Sequence, residues 1–176
     1  PDVPHKSEHG LVFLNVTSVD RAIGCYAGIK HTLTKLQARD EGVIVAKMLK
    51  ARRELVIGGR VDAQFGPVVM VGDGGKYVEA LGDFALLLPP FNQQAVIDAL
   101  LKLRIAPILL GTRGEPALDL AAFADMAVRV SQLLLVAKDS VASIDLNPVM
   151  VMGKSDGATH GALAADGLVE LTAAKQ

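Results

Sequence analysis

The spacing of apolar residues predicts three helices along the chain. Apolar residues recur at helical spacing from Val19 to Leu36, directly behind Ser18, which is a common N-cap residue type. Asn92 is placed to cap a second helix that extends to about Leu103. A third, amphipathic helix presents Leu120, Phe123, Ala127, Val130 and Leu134 on one face.

Short apolar runs rich in β-branched residues predict the strands. Because most of the connections between them are short, neighbouring strands are expected to pair antiparallel. The pattern therefore predicts an α+β fold, a largely antiparallel sheet with packed helices, rather than a doubly wound parallel sheet. Residues 106–119 are expected to form a loop or short turn region. The predicted strands are 11–16, 42–49, 54–61, 66–72, 77–81, 84–89, 141–153 and 162–171, the last as the hairpin partner of the one before it.

Length, composition and charge limit the classes of protein to which the chain can belong. The chain has 176 residues, 51% of them hydrophobic, and a formal charge of −1. This length and apolar content predict about one domain with a sizeable core, while the lack of a basic excess argues against nucleic-acid and membrane-surface partners. Cys25 is the single cysteine, which excludes an internal disulfide and favours a cytoplasmic protein. No uninterrupted apolar run reaches the roughly 18 residues of a membrane span.

The strand "IDLNPVMVMG" carries polar residues within an apolar run. Asp145 and Asn147 are two residues apart, and side chains at that spacing in a strand face the same side. A carboxylate and an amide oxygen suit a hard cation such as Mg²⁺, and Asp166 on the partner strand could add a second carboxylate. The alternative is that these residues mark a strand end, where Pro148 stops the pairing.

The segment "GDGGKYVEALGD" places three glycines, Gly72, Gly74 and Gly75, behind an apolar strand. Such a backbone can approach a ligand closely and direct its N–H groups at phosphate oxygens. Glu79 in the following element could be a metal or second-sphere carboxylate. The alternatives are a tight hairpin for the glycines and a solvated glutamate, and the segment lacks the pattern of a P-loop.

Two further residues are candidates for phosphate chemistry. His5 lies in a polar stretch before a predicted strand, and an imidazole nitrogen is a competent phosphoryl acceptor near neutral pH. Arg113 lies between glycines in "GTRGEP", where it could clamp a phosphate. Each could instead be an ordinary surface residue. Together with the cation and glycine sites, they supply the parts that phosphoryl transfer needs.

Four segments of the chain carry a family resemblance. In order, "PHKSEHGLVFLNV", "ELVIGGRVDAQFGPVVMVGDGGKYVEAL", "GTRGEP" and "IDLNPVMV" resemble the ATP-grasp domain of the NDP-forming acyl-CoA synthetases. This family includes ADP-forming acetate–CoA ligases and relatives of the succinyl-CoA synthetase β-subunit. The resemblance extends from about residue 1 to residue 171. It implies an ATP-grasp-like fold that binds ATP or ADP with Mg²⁺ between two lobes.

The resemblance also implies roles for individual residues. Phosphoryl transfer would pass between the nucleotide and a phosphohistidine during interconversion of an acyl-CoA and its acid, with a CoA-binding domain or subunit as partner. The implied roles are His5 as the phosphate carrier, Asn147 and Asp166 as metal ligands beside Asp145, Glu54 near the nucleotide, and Val45, Lys47 and Leu49 in a linker along the adenine.

Some features depart from the family pattern. Residues 1–176 resemble the C-terminal portion of the domain, so we expect an incomplete ATP-grasp domain that is inactive by itself. Leu11 replaces a glycine, Asp73 stands where the family has an apolar residue, and Lys76 is unusual at its position. An anion at position 73 would repel nucleotide phosphates. The alternative function is therefore a degenerate regulatory module in a protein of the acetyltransferase-fusion type.

Overall fold

The structure, a computed structural model, describes residues 3, 6–75, 78–154 and 160–172, and for Glu79 it describes the backbone alone. The chain divides into two compact units, Pro1–Met48 and Leu49–Gln176.

The first unit contains helix α1, Val19–Lys35. Ser18 caps it as predicted, because its side-chain oxygen accepts a hydrogen bond of 3.2 Å from the Arg21 N–H. The predicted strands at 11–16 and 42–49 are wrong, since neither segment is a strand in the structure. A strand needs a neighbour for its backbone hydrogen bonds, and no described residue pairs with either segment.

The second unit is built on one sheet, and its six described strands are all antiparallel to their neighbours. The order is β3-β2-β1-β4-β5, and β6 also pairs with β4. This arrangement confirms the predicted α+β class and the antiparallel sheet. The strands are β1 (Arg53–Asp62), β2 (Gly66–Asp73), β3 (Phe84–Leu87), β4 (Val141–Val151), β5 (Ala162–Ala164) and β6 (Leu168–Leu171).

Four described helices accompany the sheet: α2 (Val78–Leu81), α3 (Gln93–Leu100), α4 (Ala106–Leu109) and α5 (Leu120–Ala137). Asn92 caps α3 as predicted, accepting a hydrogen bond of 3.0 Å from the Ala95 N–H. The predicted strand at 77–81 is wrong, because residues 78–81 form the single turn α2 and residue 77 lies outside the described residues. The predicted loop at 106–119 contains the short helix α4. The single strand predicted at 162–171 as the hairpin partner of β4 is two strands, β5 and β6.

Helix α5 supplies much of the core. The predicted apolar face of this helix, which includes Phe123, Ala127 and Leu134, is buried in one cluster with Leu55 and Ile57 of β1. Among the described helices, α5 is the one that is long and apolar enough to suit a membrane span, with a mean hydropathy of 1.6 over its 18 residues. The core helix of a soluble protein can have the same length and hydropathy, so these two properties are weak evidence for a membrane span.

Strand β4 contains a bulge at its polar residues. Leu55 lies opposite Val149 and Ile57 lies opposite Leu146, so β1 has one residue between these pairs whereas β4 has two, at 147–148. Such an inserted residue interrupts the regular alternation of side chains. The two-residue spacing from position 145 therefore does not by itself fix a common direction for the two polar side chains.

Candidate functional site

A cavity of about 430 Å³ opens where β1 begins and β2 ends. Its size falls in the usual range of small-molecule sites, about 300–1,000 Å³. Three residues that the sequence marks as cofactor-binding candidates, Glu54, Gly74 and Gly75, line this cavity together. The other lining residues are Ala51, Arg52, Arg53, Asp73, Leu81 and Met150.

The glycine segment that lines this cavity is bonded to a polar residue of β4. The Gly75 N–H donates a hydrogen bond of 2.9 Å to Oδ1 of Asn147. The Gly74 N–H donates a hydrogen bond of 3.0 Å to the backbone oxygen of Glu54. Two of the predicted elements, the glycine segment and the "DLNP" strand, are therefore in direct contact although they are far apart in sequence.

The N–H groups of this turn are occupied by the protein itself. Besides those of Gly74 and Gly75, the Asp73 N–H donates to the backbone oxygen of Asp83 at 3.0 Å. In this arrangement the N–H groups of residues 73–75 do not form the free phosphate cradle that the sequence predicts. Contact between these glycines and a nucleotide stays a prediction.

Close packing explains two of the three glycines. A Cβ atom at Gly72 would lie 2.7 Å from Cα of Phe84, and one at Gly74 would lie 2.7 Å from Cα of Leu55. Side-chain carbons do not approach a backbone this closely, so these two positions exclude a larger residue. Gly75 differs, because it has a positive φ of 75° and faces the Glu54 carboxylate.

Asp73 is paired inside the protein. Its carboxylate accepts hydrogen bonds from the Arg53 guanidinium, from Nε at 2.9 Å and from Nη2 at 2.6 Å to each oxygen. The Asp73 side chain is 3% exposed and that of Arg53 is 30% exposed. A multiply hydrogen-bonded Arg–carboxylate pair of this kind is among the stronger charged interactions in proteins. The negative charge that departs from the family pattern is therefore compensated.

A second carboxylate fixes the chain after the glycine turn. Asp83 is buried and accepts hydrogen bonds from the backbone N–H groups of Ile105, at 2.9 Å, and Arg104, at 3.1 Å. Burial by itself would raise the pKa of Asp83, but these hydrogen bonds and the Arg104 guanidinium outweigh it and lower the pKa. Arg104 also donates to the backbone oxygen of Leu81 at the end of α2. Residues 81–83, before β3, are thus held by charged groups.

The third metal candidate approaches the bulge from the neighbouring chain segment. The Ala165 N–H donates a hydrogen bond of 2.9 Å to the backbone oxygen of Pro148, and Asp145 pairs with Leu168. Asp166 lies between these two connections, so its backbone runs past residue 147 of β4. The side chains of Asp145 and Asp166 are exposed. The three metal candidates therefore belong to one region of the sheet, although their coordination of an ion stays a prediction.

The donor set fits a hard cation. A carbonyl oxygen has two lone pairs, so Oδ1 of Asn147 retains acceptor capacity beside its bond from Gly75. Exposed carboxylates and an amide oxygen are the ligand types that Mg²⁺ takes, with water and phosphate completing its shell. Within the described part of the chain, no group of three or more His, Cys, Asp and Glu side chains is arranged to hold a metal. An ion here would therefore need the Asn147 amide oxygen and ligands from outside the protein in addition to the carboxylates.

Several candidates are not brought into this site. Arg113 is exposed, has a φ of 51°, and forms no hydrogen bond or ion pair with a described residue. Val45 is 91% exposed and belongs with Lys47 to the first unit, whereas Leu49 begins the second. His5 and the side chain of Glu79 lie outside what the structure describes. The roles predicted for these residues stay predictions.

Sequence reasoning missed Arg53. The sequence places Arg53 directly before Glu54, at the start of β1, and Asp73 at the end of the adjacent β2. In an antiparallel hairpin, the first residues of one strand lie beside the last residues of the other. Opposite charges at those two ends were therefore the signal that could have identified the pair.

Comparison with known proteins finds one family and close relatives. The ATP-grasp domain family matches residues 1–171. The beta subunit of acetate–CoA ligase (ADP-forming) II of Pyrococcus furiosus is 37% identical over 160 residues, which are 90% of this chain and 68% of that subunit. Acetate–CoA ligase (ADP-forming) I of Archaeoglobus fulgidus is 40% identical over 152 residues, which are 86% of this chain and 22% of that protein. The chain thus spans most of one relative and less than a quarter of the other.

A solved structure shares the fold. The dinucleotide-forming acetyl-coenzyme A synthetase 1 of Ca. Korarchaeum cryptofilum is 28% identical, with a TM-score of 0.80 over 98% of this chain and 73% of that one. That structure is a complex with coenzyme A and Mg-AMPPCP, in which the phosphohistidine segment points towards the nucleotide binding site.

Proposed function

The chain belongs to the ATP-grasp domains of the ADP-forming acyl-CoA synthetases, and on this premise we propose that it forms the nucleotide-binding part of such an enzyme. In this proposal it takes part in phosphoryl transfer between ATP or ADP and a phosphohistidine, during interconversion of an acyl-CoA and its acid. Its partner is a CoA-binding domain or subunit, and its location is the cytoplasm.

One observation carries the proposal. The Gly75 N–H bonds Oδ1 of Asn147, which joins the glycine turn to the polar bulge of β4 beside a cavity. The cavity is large enough for a small ligand and is lined by both charged and apolar groups. The Korarchaeum relative, which shares the fold, binds a magnesium nucleotide analogue, and this supports the same ligand class here.

The residues of the bulge region would hold the magnesium ion. Asn147 and Asp166 would be its protein ligands, with Asp145 beside them. When bound, the ion supplies positive charge that neutralises the phosphates. The protein itself contributes a fixed amide oxygen, because the bond from Gly75 orients the Asn147 side chain before any ligand arrives.

The covalent step would use an imidazole. In our proposal, a histidine nitrogen attacks the γ-phosphorus of ATP, so that an N–P bond forms while the bond from the bridging oxygen to the γ-phosphorus breaks and ADP leaves. Transfer to ADP is the reverse. His5 is the candidate in this chain, and the partner's phosphohistidine segment is the other. Glu54, Val45, Lys47 and Leu49 would contact the nucleotide.

The charge pairing at position 73 favours this function over a degenerate regulatory module. An unpaired carboxylate there would repel phosphates, whereas Asp73 is neutralised by Arg53. The electrostatic reason for a degenerate site is therefore removed at this position.

Calorimetric titration of the natural protein with ATP and ADP, with magnesium and then with excess EDTA, tests the proposal. We expect binding that depends on magnesium. Labelling with γ-³²P-ATP then tests the covalent step, with His5→Ala as the variant and His160→Ala, an exposed histidine, as the matched control. Absence of magnesium-dependent binding would refute nucleotide recognition, while unchanged acid-labile label in His5→Ala would assign the carrier role to the partner's histidine.

A further inference from the structure

The charged residues that line the cavity balance one another. Arg52 and Arg53 contribute two positive charges, while Glu54 and Asp73 contribute two negative charges. The two members of the Arg53–Asp73 pair are not equally accessible, because the Asp73 side chain is 3% exposed and the Arg53 side chain is 30% exposed. Removing either partner would leave one uncompensated charge at the cavity wall.

We propose that Arg53 and Asp73 form a charge-compensating pair that sets how strongly the cavity discriminates between nucleotides by their number of phosphates. This inference rests on the proposed function, since it assigns a specificity role within the same nucleotide site. The Arg53 guanidinium neutralises the negative charge of Asp73, and the Asp73 carboxylate in turn lowers the positive potential that Arg53 presents to the cavity. Neither residue needs to be a catalytic residue for this role.

Geometry supports a role beyond holding the strands together. The Asp73 carboxylate engages Nε and Nη2 of Arg53, so the guanidinium retains the N–H groups of Nη1. Asp73 is adjacent to Gly74, and both residues line the cavity together with Gly75. A phosphate bound at the glycine turn would therefore lie in the electrostatic field of both side chains. In the wild type their opposite charges offset each other.

Electrostatics gives opposite signs for the two single substitutions. Replacing Asp73 by Asn removes the anion and leaves Arg53 free to attract phosphates. Replacing Arg53 by Gln leaves a buried carboxylate that repels them. Both effects grow with the charge of the ligand and fade at high salt. A purely structural role predicts neither the opposite signs nor the dependence on phosphate number.

The experiment is a double-mutant cycle at positions 53 and 73 of the natural protein. Wild type, Asp73→Asn, Arg53→Gln and the double variant Arg53→Gln/Asp73→Asn are titrated with magnesium and ATP, ADP or AMP at low and high salt. For Asp73→Asn we expect binding to tighten by about threefold for each added phosphate charge at low salt, and for Arg53→Gln we expect a comparable loss. The double variant should lie within about twofold of wild type, since its cavity again carries no net charge.

Each outcome of the titrations supports or overturns the proposed role of the Arg53–Asp73 pair. Equal shifts for all three nucleotides, or shifts of the same sign in both single variants, would overturn the pair's role while leaving nucleotide binding intact. Absence of wild-type binding would overturn the proposed function and this inference with it. Thermal unfolding identifies misfolding in Arg53→Gln, and Asp73→Asn then decides the question alone, because its remaining cation is already partly solvated.

Discussion

The backbone N–H of Gly75 donates a hydrogen bond of 2.9 Å to Oδ1 of Asn147, which lies 72 residues further along the chain. The bond is partly buried and connects the end of β2 to the bulge in β4. A buried amide donor left without a partner is unfavourable by about 1–3 kcal/mol. This contact therefore fixes the shape of the site even before a ligand binds.

Replacement of Asn147 by Ala removes that acceptor. We expect a loss of about 1–3 kcal/mol in the free energy of unfolding, because the Gly75 N–H loses its partner. We also expect magnesium-dependent nucleotide binding to weaken by at least about tenfold, equal to about 1.4 kcal/mol. Urea unfolding and calorimetric titration measure the two effects.

Asn147→Asp is the matched control, since a carboxylate oxygen can accept the same hydrogen bond. It should keep most of the stability that Asn147→Ala loses. If both variants unfold alike, the contact with Gly75 is not what Asn147 contributes.

Gly75→Ala tests the crowding at the turn. Gly75 has a positive φ of 75°, and an added Cβ would collide with the Glu54 carboxylate. Gly66, at the hairpin turn, is the control because it has a φ of 70° but no atom within 4 Å of an added Cβ. We expect Gly66→Ala to lower the free energy of unfolding by about 1 kcal/mol through backbone strain, and Gly75→Ala to lower it further. Equal losses in urea unfolding would show that the Glu54 side chain simply moves away.

Gly59→Ala tests the contact between the sheet and helix α5. An added Cβ would overlap Cδ1 of Leu134, which is fully buried and cannot swing into solvent. We expect a loss of about 1–3 kcal/mol from overpacking. Gly58→Ala on the same strand is the control, since its Cβ would lie 3.3 Å from the terminal methyl group of Met70. Comparable stability of the two variants by thermal unfolding would contradict close packing at Gly59.

The lowered pKa of Asp83 predicts a pH dependence of stability. Because hydrogen bonds from Ile105 and Arg104 favour the ionised form, the carboxylate stabilises the fold fully above its ordinary pKa of 3.8. That contribution is lost as the pH falls through the lower folded-state pKa. Asp83→Asn should therefore be less stable than wild type near neutral pH, and the difference should shrink below pH 3.8.

Urea unfolding from pH 7 to pH 3 measures this difference, with Asp139→Asn as the control for an exposed carboxylate. A difference between wild type and Asp83→Asn that does not change with pH would show that Asp83 acts through shape rather than charge.

The pattern of apolar residues predicted the second unit well because its elements pack against one another. Helices α3 and α5 and the strands 54–61, 66–72 and 141–153 all contribute residues to one core, so their periodicity records real burial. Residues 11–16 and 42–49 have the same apolar character but no described strand partner, and propensity alone does not make a strand.

The site could be predicted only in part. The sequence identified Asn147 and the glycine segment, because polar residues and glycines within apolar strands are unusual. It could not reveal that the N–H groups of residues 73–75 are already bonded, since their acceptors lie in distant segments. Nor did spacing along one strand reveal the bulge, which arises from pairing with β1.

The extra residue in β4 also changes which sequence positions face the core after the bulge. Ile144 before the bulge and Val149 and Val151 after it are all buried in the same core, although Ile144 is an odd number of positions from each of the other two. Removal of Pro148 would leave one residue on each strand between the two residue pairs that flank the bulge, so that Ile144, Val149 and Val151 would all face the core by strict alternation. The extra residue is therefore not needed to bury these side chains, and its consequence lies in the local backbone at Asn147, whose side chain accepts the hydrogen bond from Gly75.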